Sequence, residues 1–196
     1  MLAAAEWTYE LTQSVAPATE PVSVEEAREH CRITINDEDA LIPGWIASAR
    51  RYCENYLDRQ FVTATWQLKS REFPGGEVLL PKPPLLSVTS VAYVDSNGDS
   101  QTLAATVYDV STPSKAQGRI SLAYGQSWPV VRNQANALTI TYTCGYGAAT
   151  AVPATIKQAM YMLISDTNEN RESGYGPVVL ANANRLLDCE SWGSLL

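Results

Sequence analysis

The chain contains one histidine and no Cys-x-x-Cys pair. Nor does it have an apolar run approaching the ~18 residues of a membrane span. Each absence excludes something. Without such a run no membrane-crossing helix is expected. The cysteines Cys31, Cys53, Cys144 and Cys189 lie 22, 91 and 45 positions apart. That spacing suits neither a zinc site nor a redox motif, and buried reduced thiols are the expectation. The start, MLAAAEW, has no basic segment and no long apolar core, so a chain made and kept in a cytoplasm is expected. Cations are also scarce, with 14 Lys and Arg against 21 Asp and Glu for a net charge of −7. That balance excludes a protein that grips DNA or anionic membranes with its whole surface, though not one with a local basic patch.

The 196 residues, 45% of them hydrophobic and 18% charged, suffice for one good core or two small ones. Residues 1–21 read as an extended lead-in broken by Pro17 and Pro21. Ser23-Val24-Glu25-Glu26 is a capping box opening a short helix to about Arg32, with Val24, Ala27 and Cys31 on its apolar face. Asn36-Asp37-Glu38-Asp39 places three acids where a second helix would start. They lack the glycine and distal glutamate of a calcium loop. Leu41, Ile42, Trp45, Ile46, Ala49, Cys53, Tyr56 and Leu57 carry that helix to about Arg59. Pro43 should kink its first turns or delay its start.

From Phe61 the apolar period falls to two. Strands are expected near 62–69, 77–80, 87–94, 101–103, 107–110, 119–122 and 137–144. Pro81-Lys82-Pro83-Pro84 reads as a rigid polyproline connector, and Asp95-Ser96-Asn97-Gly98-Asp99 as a hairpin turn. A third helix is expected from Pro153 to about Asn170, a polar loop after it, and a short helix over 179–187. The order is α+β with segregated layers: a small bundle of three main helices, with an antiparallel β insertion (about 61–145) between the second and third. The expected division is an arm (1–21), one domain (22–172) and a partner-binding tail (173–196).

The turn Gly145-Tyr146-Gly147 separates a strand from a helix, the setting of a phosphate cradle. Pro153 at the expected first helical position removes a donor, and neither a Lys-Ser/Thr pair nor a third glycine follows. The turn is read as structural. His30 lies near the end of a short helix without a nucleophile of recognisable context, and a capping or surface role fits it. No catalytic residue, metal ligand or cofactor site is assigned. Two carboxylates meeting in space is an alternative that spacing leaves open. Trp45 and Trp66 are placed as core, while Trp7 and Trp192 on terminal segments suit anchors onto partners.

Several stretches together resemble the head–tail connector proteins of tailed bacteriophages and related prophages or gene-transfer particles. They are Pro21–Arg28, Asp37–Ile42, Ala49–Tyr56, Arg59–Trp66, Leu80–Leu85 with Ser87, Val88 and Tyr93, Gly145–Gly147, and Val152–Ala159. The resemblance runs from about Pro21 to about Arg171 and rests on order and spacing rather than on one motif. It implies a non-enzymatic subunit of a ring, usually twelve-fold, beneath the portal. Such a ring completes the head, extends the DNA channel without specific DNA binding, and meets a stopper or tail-completion protein. It also implies assembly in a bacterial host cytoplasm and residence in the virion. A stopper or tail-completion role is the alternative; an enzyme and a virion binding module are more distant ones. Within this reading Arg50, Arg51 and Glu54 are expected at the subunit interface, and Trp192, Leu195 and Leu196 at the portal.

Overall fold

A computed structural model describes residues 7–34, 39–114 and 116–191. It is α+β, with four helices and antiparallel sheets, and the chain divides into two compact units. One takes residues from 1–16 and 63–145, the other from 17–62 and 146–196.

The first unit is all β. Its strands are β1 (Tyr9–Val15), β2 (Ala64–Ser70), β3 (Val78–Leu80), β4 (Leu85–Val94), β5 (Ser100–Thr102), β6 (Tyr108–Ser111), β7 (Gly118–Leu122) and β8 (Leu138–Cys144). A five-stranded sheet has the order β1-β2-β8-β4-β5, and a three-stranded sheet the order β3-β7-β6. The alternation of β8 sends Leu138, Ile140, Tyr142 and Cys144 inward, where they meet Leu68, Val78, Leu80, Val91 and Ile120. Each large side chain so buried contributes about 1.5–3 kcal/mol. Strand β7 runs so close to β4 that a Cβ on Gly118 would collide with the Leu85 side chain.

The extended lead-in is a strand over part of its length: β1 lies antiparallel on β2, from Tyr9 opposite Ser70 to Val15 opposite Thr65. One expectation for this unit needs correction. The connector at 81–84 is a turn, because Lys82 takes φ 62, outside the polyproline range. The Tyr142 hydroxyl donates to the Pro81 carbonyl at 3.0 Å and the Gly145 amide to that of Pro84 at 2.9 Å, which ties the turn to β8.

The second unit holds α1 (Val24–Cys31), α2 (Ile42–Leu57), α3 (Ala154–Glu169) and α4 (Pro177–Asp188). Its core joins Val22, Ala27, Ile42, Ile46, Ala49, Cys53 and Phe61 to Ile156, Met160, Leu163, Ile164, Ala183 and Leu187. The capping box at α1 is formed as its sequence predicts: the Glu26 amide donates to Ser23 Oγ at 3.1 Å and the Ser23 amide to Glu26 Oε2 at 2.7 Å. Pro43 delays the second helix, which starts at Ile42 with no acid in its first turn. Of the expected acids, Asp37 and Glu38 lie outside the described residues, and Asp39 pairs with Arg28 at 3.2 Å. Trp45 and Trp66 are half-buried, each packed against the edge of its own unit's core.

Candidate interaction surfaces

The glycine turn forms as a joint. Gly145 and Gly147 take φ 123 and 113, where a side chain would be strained. The Tyr146 amide donates to the Phe61 carbonyl at 2.8 Å. Pro153 stands at the N-cap of α3, one position before the first helical residue, Ala154, rather than at the first helical position as expected. The amides of Ile156 and Lys157 both donate to its carbonyl. Lys157 reaches back to Glu26 at 3.6 Å. The Gly145 and Tyr146 amides of the turn and the Lys157 cation of α3 are thus engaged inside the chain, which fits the structural reading of the turn.

Among the described residues no three His, Cys, Asp or Glu side chains gather to hold a metal. His30 is exposed and stacks on Tyr161, with ring centroids 4.9 Å apart. Burial, with Glu26 beside it, raises the Tyr161 pKa.

The three residues expected at a subunit contact are placed differently from one another on α2. Arg50 and Glu54 are largely buried in one network. Arg50 Nε donates to Glu20 Oε2 at 2.6 Å, and its Nη1 to Glu54 Oε2 at 2.7 Å. Glu54 Oε1 accepts from Gln60 Nε2 at 2.8 Å and from the Phe61 amide at 3.0 Å. Burial raises the Glu54 pKa against the pull of the Phe61 amide and Arg50. Burial also opposes the Arg50 charge, but the two carboxylates outweigh it and raise its pKa. Removing one member would leave a buried charge uncompensated. Arg51, one position on, is exposed. Trp192, Leu195 and Leu196 lie outside the described residues.

Sequence reasoning missed how α4 is fastened. The Tyr52 hydroxyl donates to Asn184 Oδ1 at 2.9 Å and the Tyr56 hydroxyl to Asp188 Oδ1 at 2.8 Å. Tyr175 meets Ser48 Oγ at 3.1 Å. Asp166 of α3 accepts from the Gly176 amide at 2.7 Å, fixing the start of α4. The spacing Ser48, Tyr52, Tyr56 is a polar helical stripe (i, i+4, i+8), and that signal was available in the sequence.

The all-β unit offers two further surfaces. Trp128 stacks on Phe73 at 4.5 Å and donates to the Gly76 carbonyl at 3.3 Å, while Trp7 donates to that of Glu72 at 2.8 Å. A cleft of about 490 Å³ lies between Trp7, Thr8 and the loop from Ser70 to Gly75. Tyr124, fully exposed, and Val130 project from the loop that carries Trp128. The outward face of the five-stranded sheet is rich in hydroxyls. Thr12, Gln67, Thr141 and Ser90 form one cross-strand row, and Thr65, Thr143 and Ser87 another. A third row pairs Glu10 with Lys69, then Thr139 and Ala92.

A family model described as "Head completion protein" matches residues 20–171. No curated protein matches the chain. Among solved structures, a chain in the neck of an empty gene transfer agent particle, computed with C6 symmetry, superposes with a TM-score of 0.79 at 23% identity. A chain from the virion of the native gene transfer agent gives 0.78 at 23%, and one from the native neck, computed with C12 symmetry, 0.76 at 22%. In each case 95% of this chain and 97% of the other are covered, which shows a shared fold over nearly the whole length of both.

Proposed function

The chain belongs to the head completion protein family, and we propose that it is a structural subunit of a virion neck, joining the head of a tailed phage or a gene transfer particle to its tail. In this reading twelve copies form a ring beneath the portal. The ring completes the head, extends the DNA channel and presents its far face to a stopper or tail-completion protein. The observation that carries the reading is the family match over most of the chain, supported by a fold shared end to end with neck subunits.

The surface chemistry suits this role. A net charge of −7 and a broad sheet face carrying one lysine, itself opposite Glu10, offer DNA few cations. Few phosphate counterions would then be released, and DNA could pass without being held. At the subunit contact Arg51 supplies the exposed charge, while Arg50 and Glu54 brace the helix behind it. The portal contact is assigned to the apolar side chains of Trp192, Leu195 and Leu196.

Light scattering after size-exclusion chromatography, from dilute to concentrated protein and with or without the cognate portal, tests the ring. A ring-sized mass, alone or on the portal, is expected. A monomer at every concentration that ignores the portal and instead binds a preformed connector ring would replace this reading with that of a stopper.

A further inference from the structure

The loop 123–137 joins β7 to β8 and has no helix or strand of its own. Loops of that length are uncommon in compact domains unless they have a task. This one is braced at two points. Trp128 is stacked on Phe73, and the Arg132 amide donates to the Val94 carbonyl at 2.9 Å. Tyr124 is nonetheless fully exposed, and Val130 is 78% exposed. A fixed base therefore holds two bulky apolar side chains out in water, and covering them costs little further ordering.

Charge is divided unevenly along the chain. The all-β unit has six Lys and Arg against seven Asp and Glu, and the helical unit eight against fourteen. No Asp or Glu lies between Asp109 and Asp166, so the loop carries Arg132 and no carboxylate.

The helical unit has a surface that complements it. Leu41 and Trp45 are one helical turn apart at the start of α2, where the Trp45 amide donates to the Leu41 carbonyl at 3.2 Å. Leu41 is 48% exposed, and Trp45 is half-buried. Tyr175 meets Ser48 on the same side of α2, and Val178, in the first turn of α4, is 71% exposed. The segment that lays Arg171 over the Trp45 ring, 5.5 Å from its centroid, also carries Glu169 and Glu172, both exposed. Two carboxylates there stand against one guanidinium that is engaged on an indole. Single exposed apolar residues are ordinary. Here they gather on two surfaces, one with a cation and no acid, the other with acids in excess.

We infer that the 123–137 loop of one copy docks on the patch of Leu41, Trp45, Tyr175 and Val178 of a second copy. The inference rests on the ring reading and names the contact through which copies join. Tyr124 and Val130 cover the apolar patch, and Arg132 comes to Glu169 and Glu172. Arg51, three residues beyond Ser48 on α2, lies beside the same patch, as its place at the subunit contact requires. The two surfaces differ, so the contact is head-to-tail and repeats from copy to copy until a ring closes.

Cross-linking of the full chain assembled on the portal tests it. Cys31→Ser and Cys189→Ser first remove the two cysteines that are not buried. Val130→Cys and Val178→Cys are then made singly and together. A bifunctional maleimide should turn the double variant into a ladder of linked copies and leave each single variant unlinked, because only unlike positions face each other. Val130→Asp should raise the concentration needed for assembly at least about ten-fold. It should leave the melting of the monomer unchanged, because the side chain is exposed. An assembled ring in which the double variant gives no ladder, or in which Val130→Cys alone links copies loop to loop, overturns the inference and leaves the ring reading standing. A chain that never assembles overturns both.

Discussion

At the scale of single residues, burial decides the chemistry. Cys53 is fully buried on α2, and burial pushes its thiol up from 9.0 to about 12. Cys144 is buried in the β core, whereas Cys189 is exposed. At pH 8 a thiol-specific reagent should therefore modify Cys189 in the native protein and leave Cys53 and Cys144 unmodified until denaturant is added. Because the folded-state pKa of Cys53 lies above its unfolded value, its contribution to stability is fully present below about pH 9 and is lost as pH rises toward 12. Denaturant midpoints measured across that range should fall for the wild type and flatten for Cys53→Ala. A Cys53 that reacts at pH 8 as fast as Cys189 would contradict this. The buried position of Cys53 was legible in the sequence from its place in the α2 apolar series. The partners of Arg50 and Glu54 were not, because Glu20 and Gln60 reach them from segments without periodicity.

At the scale of elements, legibility followed burial. α3 and β8 each bury one continuous face, so their periods of 3.6 and 2 stood out in the sequence. β1 buries almost nothing, and its run Tyr-Glu-Leu-Thr-Gln-Ser-Val reads as an arm until β2 is seen beside it. For α2 the sequence offered acids that favour an early start and a proline that kinks the first turns or delays it, and the helix takes the delayed start at Ile42. α4 is held to α2 by the Tyr52 and Tyr56 hydroxyls, whose spacing on α2 is visible in the sequence but whose acceptors, Asn184 and Asp188, are not. Tyr52→Phe and Tyr56→Phe should each cost about 0.5–1.5 kcal/mol, the smaller loss falling at the exposed Tyr56. Hydrogen exchange should quicken in 177–188 ahead of the rest of the helical unit. Uniform quickening throughout that unit would mean that the hydroxyls do not fasten α4 in particular.

At the scale of the whole molecule, the chain's order of elements carried the family resemblance, although no single residue did. In the proposed role the chain would need a fold and surfaces, which are carried by the order of elements and not by a single motif. The order of capping box, long helix, strand series, glycine turn and third helix was therefore the legible part. Contact residues such as Arg51 are not legible in one chain, since a surface acquires its meaning from the partner that covers it. The central claim is that the chain completes heads. It is tested most directly by electron microscopy of particles made without it, alongside particles supplied with the chain in trans. The account predicts unjoined heads and tails in its absence and joined particles on supply. Intact, tailed particles in its absence would contradict it.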